Sequence, residues 1–236
     1  MRERNLTTML QSLLHKINQW ERKLHAAFGT DITDPRERRR SRWHYLLFDH
    51  GFLRTFWTNF DQVAPGVYRS NQPDHKRLAR ARDMGIVSVL NLRGPSKHAC
   101  YLFEAESCAA LGMTLINIKL GARAAPHRDK LLELFAIFDG IARPFLMHCK
   151  SGADRAGLAS ALYLIDQEGK DVDAVRDQLS FKYLHLRKSK TGVLDKVLDD
   201  YAARNATDPI TIRDWIATHY DATATQAGFD AKQDQR

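Results

Sequence analysis

The sequence contains few cysteines and no long apolar segment. Only three of its 236 residues are cysteine, Cys100, Cys108 and Cys149. Three thiols cannot all pair and are too few for a disulfide scaffold, so a reducing compartment is expected. No run approaches the ~18 apolar residues of a membrane span, and the N-terminus makes a poor signal peptide because polar residues interrupt it and no small-residue cleavage site follows. We therefore expect a cytoplasmic protein, with peripheral membrane contact as an open alternative.

Neither sign of charge dominates strongly, and the basic excess is unevenly spread. The chain has 36 Lys or Arg and 28 Asp or Glu, a net charge of +8. Residues 1–60 hold eleven basic and six acidic residues, or +5, whereas the remaining 176 hold 25 and 22, or +3. A composition of 44% hydrophobic and 27% charged residues predicts a packed core and argues against disorder. We expect no nucleic-acid partner.

Residues 1–60 are predicted to form a helical, basic and aromatic N-terminal extension. Apolar residues from Leu6 to Ala27 recur at helical spacing. This face could dock on the next domain, pair in a short coiled coil or lie on a membrane. Asp31–Arg42 is predicted to be an exposed linker, with a lipid- or nucleic-acid-binding patch as the alternative. The aromatic residues of Trp43–Phe60 would pack on the core or at a bilayer interface.

After the extension, strand and helix patterns alternate. Strands are expected at 67–70, 86–92, 113–120 and 144–148, and helices at 74–84, 97–111, 128–141, 156–167, 172–180, 193–203 and 208–220. Such alternation is typical of βαβ units and predicts an α/β fold with a central, mainly parallel sheet flanked by helices. We expect one main domain at 61–204, followed at 205–236 by a C-terminal helix and a loose polar tail.

One predicted strand-to-helix connection combines an anion site with a nucleophile. We call residues 149–155, Cys-Lys-Ser-Gly-Ala-Asp-Arg, the signature loop. Its backbone N–H groups and the following helix N-terminus would converge on an anion with several oxygens, and Gly152 permits the tight backbone. The positive potential of these N–H groups and of the helix N-terminus favours a thiolate at Cys149. The guanidinium of Arg155 can bind two oxygens of the anion. The pattern indicates phosphoryl transfer to cysteine followed by hydrolysis.

The spacing His-Cys-x5-Arg, with Gly152 and Gly157, resembles the signature of the cysteine-dependent protein tyrosine and dual-specificity phosphatase superfamily. Segments 65–73 and 85–94 are similar to its compact bacterial and fungal members, and the resemblance covers roughly residues 61–204. It implies a protein tyrosine phosphatase-like fold. It also implies a role for each residue of the signature: nucleophile for Cys149, phosphate clamp for Arg155, support of the loop for His148, and phosphate binding for Lys150, Ser151, Gly152 and Ala153.

Two positions depart from the usual pattern of this superfamily. Ala156 stands where most relatives have Ser or Thr, which predicts slow breakdown of the phosphocysteine. The upstream loop that usually supplies the general acid offers only Asp129, whereas Asp154 lies inside the signature loop, as in myotubularins and Sac-type phosphoinositide phosphatases. Because the acid must reach the leaving oxygen, we favour Asp154 over Asp129, with His127 third.

The sequence thus predicts a phosphomonoester hydrolase that needs neither metal nor cofactor. A phosphorylated protein is the leading substrate. Asp154, Lys150 and the N-terminal extension favour a phosphorylated lipid or inositol at a membrane surface as the alternative. Ala156 would also fit a non-catalytic phosphate-binding module, and a rhodanese-like sulfur transferase is a distant further option.

Overall fold

The computed structural model describes residues 32–47 and 57–234. The predicted helical face from Leu6 to Ala27 lies outside these residues, as does much of the aromatic segment. Neither described range contains a helix long and apolar enough to cross a membrane.

The chain divides into two compact units. The smaller comprises residues 1–55 and 96–103, and the larger comprises 56–95 and 104–236. The sheet and the residues of the signature loop belong to the larger unit.

A five-stranded sheet forms the centre of the larger unit. Its strands are β1 (Asp61–Ala64), β2 (Val67–Ser70), β3 (Ser88–Asn91), β4 (Thr114–Asn117) and β5 (Phe145–His148). They lie in the order β1-β2-β5-β3-β4, with β1 antiparallel to β2 and every other pair parallel. The predicted mainly parallel sheet is confirmed. Strand β1 was not predicted, because the half-exposed edge sequence Asp-Gln-Val-Ala has no apolar run.

Helices of the larger unit flank the sheet as predicted. The described helices are α1 (Pro35–Leu47), α2 (His75–Asp83), α3 (Ala99–Ala110), α4 (Arg128–Gly140), α5 (Asp154–Glu168), α6 (Val193–Thr207), α7 (Ile212–Thr218) and α8 (Ala222–Asp234). Shorter 3₁₀ helices span Asp173–Leu179, Phe181–Tyr183 and Lys190–Gly192. The helix expected at 172–180 is thus a 3₁₀ helix.

Two segments that were expected to be irregular are helical. The segment predicted as a linker forms α1, because Asp34 accepts hydrogen bonds from the N–H groups of Arg36 and Glu37 and Pro35 occupies the first helical position. The tail predicted to be loose forms α8. Asp221 caps α8 in the same way through its Oδ1 atom, and Phe229 packs against the core.

The register of the sheet places the end of β5 at its centre. All four residues of β5 are buried, and His148 lies opposite Ser70 of β2 and Asn91 of β3. The residue that follows, Cys149, therefore emerges between the carboxyl ends of two parallel neighbours, which is where ligands bind in α/β sheets.

Gly157, in α5, lies against the carbonyl oxygen of Gln178, and a Cβ atom there would be 2.4 Å from that oxygen. We expect Gly157→Ala to lower the free energy of unfolding by about 1–3 kcal/mol, because the 3₁₀ segment must move. Gly140→Ala is the matched control, since nothing lies within 4 Å of the added Cβ. Urea unfolding of both variants measures the effect, and equal stability of the two would contradict this close contact.

Candidate active site

The sulfur of Cys149 lies at the junction of β5 and α5. Its Sγ atom accepts a hydrogen bond from the N–H of Gly152 at 3.2 Å, and the residue is buried. Helix α5 begins at Asp154, two residues earlier than predicted, so its N-terminus follows the loop directly. The positive end of the helix and the loop N–H thus act on the same region, as an anion site requires.

Gly152 is required by the close approach of the loop to β2. Its φ is +75°, and a Cβ atom would lie 2.6 Å from the backbone nitrogen of Asn71 and 2.7 Å from the carbonyl carbon of Ser70. The conformational role predicted for this glycine is therefore seen in the structure. Any side chain at this position would displace the loop from the strand.

Arg69 of β2 holds the signature loop from beneath. Its side chain is fully buried, and Nη2 donates to the carbonyl oxygens of Gly152 at 2.6 Å and Ala153 at 3.3 Å. Nη1 donates to the backbone oxygen and to Oε1 of Gln178 at 2.9 and 2.8 Å, and the guanidinium stacks 3.6 Å from the ring centre of Tyr183. Burial lowers the pKa of Arg69 to about 10, so it remains charged at neutral pH.

Asn59 holds the same loop from its outer side. Its Nδ2 donates to the carbonyl oxygen of Ser151 at 2.8 Å and to that of Tyr183 at 2.9 Å. One amide therefore ties the signature loop to the 3₁₀ helix at 181–183. Sequence reasoning assigned no role to Arg69 or Asn59. Arg69 could have been noticed as a charged residue inside a predicted strand, whereas no sequence pattern pointed to Asn59.

His148 links the base of the loop to α3. The side chains of His148 and Glu104 are both almost fully buried, with Nε2 and Oε1 2.5 Å apart. These atoms make no hydrogen bond with any described residue, so the two side chains are in contact by distance alone. Nδ1 lies 3.3 Å from the carbonyl oxygen of Cys149. Burial and nearby Glu104 raise the pKa of Cys108, on the same helix, to about 12, so that thiol is inert at neutral pH.

Arg155 has no hydrogen bond or ion pair with any described residue, and its Nε is buried without a partner. Buried polar atoms are nearly always satisfied, so an unpartnered guanidinium at this loop is what an anion clamp would look like before its ligand binds.

Ser151 is exposed, and its Oγ accepts from the N–H of Ala153 at 3.3 Å. The backbone oxygen of Lys150 accepts from Gln72 at 3.3 Å.

Asp154, whose side chain is 20% exposed, lies at one end of an array of alternating charge centred on the buried His185. Its Oδ1 lies 2.8 Å from Nδ1 of His185, whose Nε2 lies 2.7 Å from Oδ2 of Asp195. The imidazole is fully enclosed, and the two carboxylates, despite the cost of burying the ring, raise the pKa of His185 to about 9. The imidazolium therefore donates to both carboxylates at neutral pH. Sequence reasoning gave His185 no role.

The other two candidates for the general acid lie at the start of α4. His127 is the residue before the helix and Asp129 is in its first turn, and both are exposed. Neither caps the helix through its side chain in the hydrogen bonds of the described residues. Within residues 32–47 and 57–234, no group of three His, Cys, Asp or Glu side chains could hold a metal ion.

Comparison with known proteins extends this description. The profile of the family described as "DSP-PTPase phosphatase fused to NAD+ Kinase" matches residues 59–192, which is more than half of the chain. The match begins at Asn59 and includes the whole signature loop. A search of curated protein sequences gave no match.

Several solved structures are similar to this chain. A candidate phosphatase from Shewanella putrefaciens CN-32 matches with a TM-score of 0.50 and 19% identity over 62% of this chain and 90% of that one. The core catalytic domain of the PP-IP phosphatase SIW14 from S. cerevisiae has a TM-score of 0.49 and 19% identity, over 64% of this chain and 94% of that one. TpbA from P. aeruginosa has a TM-score of 0.49 and 16% identity, over 73% of this chain and 91% of that one. At 19% identity, the match to the Shewanella structure concerns the fold alone.

The raised pKa of His185 predicts a pH-dependent contribution to stability. The pKa of His185 is about 9 in the folded protein and 6.5 for an ordinary histidine. The stability that charged His185 contributes is therefore complete below pH 6.5 and is lost as the pH rises through about 9. The difference in unfolding free energy between wild type and His185→Asn should therefore shrink by about 3 kcal/mol across that window.

Chemical denaturation across the pH range measures this difference. His75→Asn, at the exposed start of α2, is the control, and its difference from wild type should stay small throughout. A His185→Asn difference that is independent of pH would show that the imidazole is not charged in the folded protein.

Proposed function

The chain belongs to the DSP-PTPase family of the cysteine-dependent phosphatase superfamily, as its signature predicted, and on this premise we propose that it hydrolyses phosphomonoesters through a phosphocysteine at Cys149. One observation carries the proposal above all: Cys149 lies in a loop fixed by Arg69, beside an arginine that has no partner among the described residues. A loop built in this way fits a phosphoryl group between sulfur and guanidinium.

The proposed reaction has two steps. The Cys149 thiolate attacks phosphorus, the S–P bond forms, and the P–O bond to the leaving group breaks. The loop N–H groups and Arg155 bind the equatorial oxygens, where negative charge is held in the transition state. A general acid protonates the leaving oxygen. Water then attacks the phosphocysteine, which releases inorganic phosphate and restores the thiolate. No metal ion or cofactor takes part in either step.

A phosphorylated protein is the leading proposed substrate, because protein tyrosine and dual-specificity phosphatases define the family. A phosphorylated lipid or inositol is the alternative. The position of Asp154 inside the signature loop supports this alternative, since it matches the phosphoinositide phosphatases named above. Intact Cys149 and Arg155 argue against a purely phosphate-binding module.

We expect hydrolysis of para-nitrophenyl phosphate in the presence of a chelator and inhibition by vanadate. Cys149→Ser should abolish turnover because serine lacks the nucleophilic thiolate, and Arg155→Lys should lower kcat/KM on the order of 10²–10³-fold because a point charge replaces a two-oxygen clamp. Cys100→Ser, at a half-exposed thiol, is the control. Turnover that survives Cys149→Ser or requires added metal would contradict the proposal.

The general acid is tested by varying the leaving group. If Asp154 is the acid, Asp154→Asn should slow hydrolysis of phenyl phosphate by about 10²–10⁴-fold and hydrolysis of para-nitrophenyl phosphate far less, because nitrophenolate leaves without a proton. Asp129→Asn is the matched control and should slow neither. The opposite pattern would assign the role to Asp129. Unfolding curves of both variants separate a chemical loss from a loss of the contact with His185.

A further inference from the structure

The exposed apolar side chains of the described residues are concentrated around the signature loop. Five of the seven large ones, which we call the apolar rim, belong to two segments beside it: Trp57, Phe60, Phe181, Leu184 and Leu186. Their exposed fractions run from 40% for Phe60 to 70% for Phe181. Scattered exposed apolar residues are ordinary, but a concentration of them at one place marks an interaction surface.

Hydrogen bonds place both segments against the signature loop. Asn59, between Trp57 and Phe60, donates to the carbonyl oxygens of Ser151 and Tyr183, and accepts from Nε1 of Trp57 at 2.5 Å. On the other segment His185, between Leu184 and Leu186, contacts Asp154 of the loop. Each rim residue is thus within two positions of Asn59, Tyr183 or His185, the residues that make these contacts.

One of the two rim segments carries charge of a single sign. Residues 181–190, Phe-Lys-Tyr-Leu-His-Leu-Arg-Lys-Ser-Lys, contain four Lys or Arg and no acidic residue. Lys182 pairs with Asp61 and Arg187 with Asp199, whereas Lys188 and Lys190 are exposed and have no carboxylate partner in the described ranges. The partner that fits this surface combines negative charge with an apolar interior.

The degree of exposure distinguishes between two partners of this kind. Phe181 at 70%, Leu186 at 54% and Leu184 at 46% protrude, whereas side chains that line a peptide groove are largely covered. Protruding aromatic and aliphatic side chains next to lysines are typical of proteins that insert into the boundary of an anionic bilayer, where the apolar groups enter the acyl region and the cations bind headgroups.

We propose that the apolar rim, with Lys188 and Lys190, docks on an anionic phospholipid surface and presents a phosphorylated lipid headgroup to Cys149. The inference rests on the proposed function and selects its lipid alternative. It assigns membrane contact to the segments around the loop. The N-terminal extension, to which the sequence assigned that contact, is not needed for it.

The test is sedimentation of the full chain with vesicles of phosphatidylcholine alone or mixed with phosphatidylserine. We expect binding to the mixed vesicles that salt weakens. The combined variant Phe181→Ser, Leu184→Asn and Leu186→Ser should lose at least ~10-fold in affinity, because each substitution removes apolar area that would enter the bilayer. Asn is used at 184 because the φ of Leu184 is +61°. Met84→Ser, an exposed apolar residue at the opposite, amino-terminal edge of the parallel strands, is the matched control.

A second variant separates charge from apolar contact. Lys188→Glu with Lys190→Glu should reduce binding to the mixed vesicles and leave hydrolysis of para-nitrophenyl phosphate unchanged. The rim variant should likewise keep that soluble activity while losing hydrolysis of a phosphoinositide embedded in vesicles.

Three results would overturn the docking proposal. Wild-type protein that hydrolyses para-nitrophenyl phosphate but does not bind mixed vesicles would show a phosphatase without this surface. A rim variant that binds vesicles as wild type does would place the contact elsewhere. A rim variant that loses only phosphopeptide hydrolysis would make the rim a protein-docking surface. Absence of any phosphatase activity together with intact vesicle binding would instead refute the proposed function.

Discussion

The signature loop depends on the charge of Arg69 beneath it. Burying an unpaired guanidinium would cost several kcal/mol, and here the charge is offset by four oxygen acceptors and by the ring of Tyr183. Two of these acceptors are carbonyl oxygens of the loop itself. With these two oxygens bound by Arg69, the N–H of Gly152 donates to Sγ of Cys149.

The rest of the site fixes the same loop from other directions. Asn59 holds the carbonyl of Ser151, His148 lies between the loop and Glu104, and His185 holds Asp154. Arg155, by contrast, has no hydrogen-bond or ion-pair partner within the described residues. A loop held rigidly beside one unpartnered cation needs little reorganisation when phosphate binds, which is the condition for stabilising a transition state electrostatically. The two segments that contain Asn59 and His185 also contain the apolar rim. The same two segments therefore hold the signature loop in place and surround it with apolar side chains.

Much of this could be predicted from the sequence, for reasons that are local. The strand before Cys149 is a short apolar run, the glycines and the helix that follow are adjacent in sequence, and the spacing from Cys149 to Arg155 is set within one loop. The contacts that were missed are distant in sequence. Arg69 and Gln178 are 109 residues apart, and Asn59 and Tyr183 are 124 apart, and no periodicity relates such pairs. Helices α1 and α8 were missed because polar, charged segments were expected to be irregular, whereas Asp34 and Asp221 cap them. His185 was missed because its buried ring lies in the same basic stretch of sequence as the exposed Lys188 and Lys190.

The central claim is that Cys149 forms a covalent bond to phosphorus in a loop preorganised for it. Rapid acid quench during turnover of an aryl phosphate, followed by mass spectrometry of the peptide that contains residues 149–155, tests this directly. The account predicts a phosphoryl group on Cys149 that builds up within the first turnover and is absent from Cys149→Ser. Steady turnover with no phosphorylated Cys149, or a phosphoryl group carried by a different residue, would contradict it.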